Sequence, residues 1–220
     1  MKKTFLLAVW ILGWIHVFWF SPDDGIATKD FIVAVMQVNT ELVDPLVFMV
    51  FNLLGVWPIV MVAMLVQDNQ GRLKAWPFAF SSMVLGNSAL YLYLFFRREQ
   101  QGYVPPKTLL VRFAESKITA VVLLVSTIGL MLYGFSQGSL AAYAKAWKVN
   151  YIVNVMTIDF FLFAIAFAAV LADDMRRRNM KIDSVFWLYV LVPVLGAVTY
   201  LTVRPPLAGI NGSEPQVRSP

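Results

Sequence analysis

The run "VNVMTIDFFLFAIAFAAVLADDMRRR" at 153–178 places one carboxylate, Asp159, inside an apolar stretch that closes on Asp173-Asp174. A charged aspartate at the centre of a membrane-spanning helix costs about 2.5–3.5 kcal/mol, so it must face protein or water. At helical spacing Asp159 shares a face with Phe163, Ala166, Val170 and Asp173, while Ala164, Ala168 and Ala172 form a small-residue seam on another face. No Lys or Arg falls inside an apolar run, which leaves Asn52, Asn87, Asn154, hydroxyls, Tyr residues and His16 as candidate partners. Asp159 with these groups is a candidate intramembrane polar site for a proton or cation, or a polar contact that fixes helix register.

Other residues carry weaker chemistry. "FNLLGVWP" at 51–58 sets Asn52, Gly55 and Trp57 before Pro58, which removes a backbone donor and predicts a kink. Pro193 and Gly196 repeat that pattern near the end of the chain, and Ser82 and Gly86 make a small-xxx-small pair beside Asn87. The acidic-basic segment "ADDMRRRNMKID" suggests a metal-diphosphate site at first sight. However, Asp173/Arg177 and Asp174/Arg178 stand at i,i+4, as surface pairs do, and no second acidic motif matches. It reads as a solvated helix flank in which Arg176, Arg177 and Arg178 meet lipid headgroups. With no cysteine and a single histidine, iron–sulfur, thiol, bis-histidine haem and HExxH chemistry are excluded. No catalytic residue, metal site or cofactor is predicted.

These residues need elements to hold them. The 220-residue chain is 59% hydrophobic and only 14% charged, whereas soluble domains carry about a quarter charged residues. Six apolar runs, at roughly 4–20, 45–66, 76–96, 118–135, 151–172 and 185–203, have the length of spanning helices. None alternates at period two, which argues against a barrel. The expected fold is an all-α polytopic helix bundle of about six spans forming a single domain over 1–204, with 205–220 a disordered tail. The first run follows Lys2-Lys3 without a small-residue cleavage site and reads as an uncleaved anchor. Residues 31–43 are too short and polar to span and read as an interfacial or re-entrant helix.

Six straight crossings sort the charges poorly. With Lys2-Lys3 inside, eight Lys/Arg fall inside and ten outside, against the positive-inside tendency. The basic loops 97–117 and 173–184 belong in the cytoplasm on charge alone, which leaves the N-terminus unassigned.

The segment from Asp159 through "DDMRRR", "FWLYVLVPVLGAVTYL" and Arg204-Pro205-Pro206 resembles the end of a group of small polytopic membrane proteins of bacteria, cyanobacteria and plastids (DUF2834-like). "FNLLGVWP" is similar to that group too. The resemblance implies a membrane protein and supplies no activity. The expected function is a non-enzymatic membrane subunit or assembly factor in the cell (inner) membrane. Its partners are then the lipid bilayer and other membrane proteins, not nucleic acid. The alternative is a small transporter or channel for protons, cations or a small solute that uses Asp159.

Overall fold

The computed structural model describes residues 2–23, 28–66, 74–97 and 108–207. All regular structure among them is helical, in eleven helices. Three are long and apolar enough to cross a membrane: α3 (Pro45–Leu65), α7 (Lys117–Gln137) and α9 (Tyr151–Arg177). A fourth, α1 (Lys2–Trp19), is shorter but runs antiparallel to α9. Gly13 of α1 faces Leu162, and His16 reaches Asn154 nearer the start of α9.

Local chemistry starts these helices. Asp44 caps α3 by accepting from the Leu46 N–H at 2.8 Å, and Pro45 takes the first helical position, where no donor is needed. Ser116 caps α7 and Asn150 caps α9 in the same way. Asp44 also accepts from the Ser139 N–H at 3.1 Å, which ties the far end of α7 to the start of α3. Gly134 and Gly138 allow that approach, since a Cβ on Gly134 would stand 2.5 Å from Met49.

Two of the six expected spans are not single helices. The run 76–96 divides at Gly86 into α4 (Ala75–Leu85) and α5 (Asn87–Phe96). The rings of Phe78 and Tyr93 lie 5.5 Å apart. An unbroken helix would separate these residues by about 22 Å, so α4 and α5 form a hairpin. The run 185–203 likewise divides into α10 (Ser184–Leu191) and α11 (Leu195–Val203). Tyr189 and Tyr200 there have ring centroids 5.3 Å apart instead of the about 16 Å of a straight helix. Pro193 therefore does more than kink a helix. It stands in the turn, next to Val194 at φ +61°. Pro58 interrupts nothing comparable: α3 continues through it.

Three further short helices complete the described residues. α2 (Thr28–Met36) overlaps the 31–43 segment expected to be interfacial. At nine residues it is shorter than a spanning helix, and it packs Phe31, Ala34 and Val35 against Val47, Val153 and Met156. α6 (Leu109–Glu115) precedes α7, and α8 (Leu140–Val149) joins α7 to α9 without a buried residue. Tyr143 of α8 hydrogen-bonds Thr157 of α9 at 2.6 Å, and burial pushes its phenol above the usual range although that bond pulls the other way. The end of α11 lies against α7: Lys117 Nζ donates to the carbonyls of Thr202 and Arg204.

Both hairpins enter and leave at one end of the bundle, where α3, α9 and α11 finish and α1 and α7 begin. Lys3 Nζ donates there to the Arg97 carbonyl at 2.6 Å. Lys3, Lys74, Arg97, Arg112, Lys117, Arg176, Arg177, Arg178, Lys181 and Arg204 stand at this end. Lys29, Lys145 and Lys148 stand at the other. Folding two apparent spans back on themselves thus separates charge that six straight crossings would have mixed. Pro205 and Leu207 belong to the bundle, since the Pro205 carbonyl accepts from Arg178 and Leu207 is buried. The rest of the tail expected to be disordered, 208–220, lies outside the described residues.

Candidate functional site

Gly86 holds φ +61° and ψ −155°, a backbone conformation that only glycine adopts cheaply. A Cβ there would stand 2.7 Å from Asp159 Oδ2. The carboxylate of Asp159 thus sits against the tip of the α4–α5 hairpin. Its Oδ1 accepts the backbone N–H of Asn87 at 3.0 Å and also the Asn87 side-chain amide. Asn87 is the first residue of α5, so Asp159 caps a helix from another part of the chain. It meets both the free amides and the positive end of the helix dipole. Further along, Tyr91 donates to the Leu162 carbonyl at 2.8 Å and holds α5 parallel to α9.

Asp159 lies eight residues, about 12 Å, into α9. The hairpin stops at that level, and the space beyond its tip is a cavity of about 560 Å³ between α1, α3 and α9. Trp10, Gly13 and Trp14 line it from α1, Phe51, Gly55 and Pro58 from α3, and Tyr151, Val155 and Asp159 from α9. Gly86, Asn87 and Ser88 form its inner limit. Asp159 is the only ionisable acid among these residues, and no Lys or Arg lines the cavity.

The polar residues singled out in the sequence do not converge. Asp159 and Asn87 meet. His16 and Asn154 form a second cluster toward the opposite end: the Asn154 amide donates to the Trp147 carbonyl at 3.1 Å, which turns its Oδ1 toward Ser21 and His16. His16 Nε2 lies 2.9 Å from that oxygen and so carries the proton. Asn52 bonds within its own helix, donating to the Phe48 carbonyl at 2.8 Å. On the face of α9 that Asp159 shares, Phe163, Ala166, Val170 and Asp173 are buried and Asp159 itself is half-buried.

The acidic-basic flank differs most from its sequence reading. Asp174 is 2% exposed and accepts from Arg178 Nε at 2.8 Å, Arg204 Nη1 at 3.3 Å and Tyr200 Oη at 2.6 Å. Glu115 accepts from Arg178 at 2.6 Å and from Arg204 at 3.1 Å. Arg204 also donates to the Ala114 carbonyl at 2.8 Å and to that of Ala63. Burial opposes the charge of Arg178, but the Glu115 hydrogen bonds and the Asp174 and Glu115 charges outweigh it and hold the guanidinium above its usual pKa. Arg178 therefore cannot meet a lipid headgroup. Arg176 can, with its side chain 49% exposed beside Asp173, while Arg177 is half-buried. Asp173 is buried as well, bound by Arg97 at 3.0 Å. These arginines face the negative C-terminal ends of α3, α5, α9 and α11, and they clasp both hairpins to the long helices.

The i,i+4 spacing of Asp174 and Arg178 was visible in the sequence. Glu115, Arg97 and Arg204 gave no local signal, because each joins the clasp from a distant segment. Compared with family models, curated proteins and solved structures, the chain matches none.

Proposed function

We propose that the protein is a multi-pass integral membrane protein of the cell (inner) membrane that takes a small solute or cation into the cavity beside Asp159, as a small transporter or channel would. α1, α3, α7 and α9 cross the bilayer, and α4–α5 and α10–α11 re-enter from the basic side, which faces the cytoplasm. The observation that carries this reading is the interrupted backbone at Gly86–Asn87 with Asp159 beside it and open space beyond. At membrane depth, non-helical backbone is tolerated where it is buried in protein or lines an aqueous cavity, and half-helix ends serve substrate sites in transporters.

The chain lacks cysteine, so a single cysteine at Ser88 reports access to the cavity. A charged thiol reagent added from the side opposite the basic end should modify it. Protection from both sides would remove the transport reading. A second reading, the membrane subunit or assembly factor, rests on Phe18, Trp19 and Phe20, which are 70%, 73% and 69% exposed at the end of α1. Stoichiometric partners co-purifying from native membranes, and lost on replacing those rings, would favour it.

A further inference from the structure

Resting on the transport reading, we propose that the cavity's ligand is an organic ammonium with an apolar or aromatic body. The walls are mainly apolar and aromatic, and the volume of about 560 Å³ suits a small organic molecule rather than a bare ion. Charge is confined to one point at the inner limit. Asp159 Oδ1 takes both Asn87 donors, while Oδ2 has no hydrogen-bond partner among the described residues. A carboxylate oxygen with spare acceptor capacity, in a cavity without a basic side chain, selects a cationic donor over an anion.

The rings supply the rest of the recognition. Trp10 and Trp14 pack edge to face at 6.4 Å along the α1 wall, and indole faces attract an ammonium brought within about 6 Å. Across the cavity, a Cβ on Gly55 would meet nothing within 4 Å, so the absent side chain of Gly55 is part of the space.

That glycine gives a test independent of Asp159. Purified full-length protein in lipid nanodiscs is titrated with phenethylammonium, with its neutral analogue 2-phenylethanol and with sodium chloride, reading tryptophan fluorescence and thermal midpoint. Phenethylammonium should bind saturably, with the alcohol weaker by on the order of tenfold because it brings no charge to the carboxylate. Gly55→Phe, which fills the cavity and leaves the Asn87–Asp159 contact in place, should abolish the response while the midpoint holds or rises. Asp159→Asn should erase the preference for ammonium over alcohol. Equal affinity for ammonium and alcohol would overturn the ammonium assignment and leave a solute site standing. So would a response to sodium alone. Unchanged titrations in Gly55→Phe, or no binding by any probe, would remove the cavity as a site and the transport reading with it.

Discussion

Asp159 of α9 accepts the backbone N–H of Asn87 at 3.0 Å, joining residues 72 positions apart and capping the half-length helix α5. Asn87, one of the candidate partners of this carboxylate, meets it through the main chain as well as the side chain, at a place where another helix breaks.

The cap predicts a graded response at Asp159. Asp159→Ala leaves the Asn87 N–H unpaired and should lower stability by about 1–2 kcal/mol, as other N-cap losses do. Asp159→Asn keeps one acceptor and should cost less. Equal stability of wild type and the alanine variant in denaturant titrations would show that the tip holds without this contact.

Gly86→Ala combines a disfavoured left-handed backbone with a Cβ 2.7 Å from a carboxylate oxygen. The expected cost is about 1–3 kcal/mol. The companion Gly55→Ala, with open space and ordinary helical backbone, should be neutral or stabilising by up to about 1 kcal/mol. Thermal midpoints that rank the two the other way would place the turn elsewhere.

The clasp predicts a contrast between neighbouring arginines. Arg178→Ala removes a buried guanidinium from Asp174 and Glu115 and should destabilise by about 3–5 kcal/mol. Arg176→Ala removes a half-exposed one and should stay within about 1 kcal/mol. Similar losses at both positions would mean that the network does not bear on stability as described.

Topology is testable through single cysteines in the cysteine-free chain. Positions 74 and 181 should label from the cytoplasmic side, and positions 41 and 148 from the opposite side. Six straight crossings would place 74 and 181 on different sides. Labelling of those two from different sides would therefore return α4–α5 to the status of a crossing.

The helical class, the positions of α3, α7 and α9, and the face that Asp159 shares with Phe163 and Ala166 are legible in the residues alone. Each follows from periodicity and apolar length, which are local properties. Which apolar runs fold back is settled by contacts between distant segments. A run of about twenty apolar residues looks the same whether it is straight or hairpinned. Its turn at Gly86 depends on a carboxylate from α9, and its return is fastened where Arg97 meets Asp173. For the same reason, Asp174 and Arg178 read locally as a surface pair. Glu115 and Arg204, brought in by the fold, enclose that pair and make it the centre of the clasp.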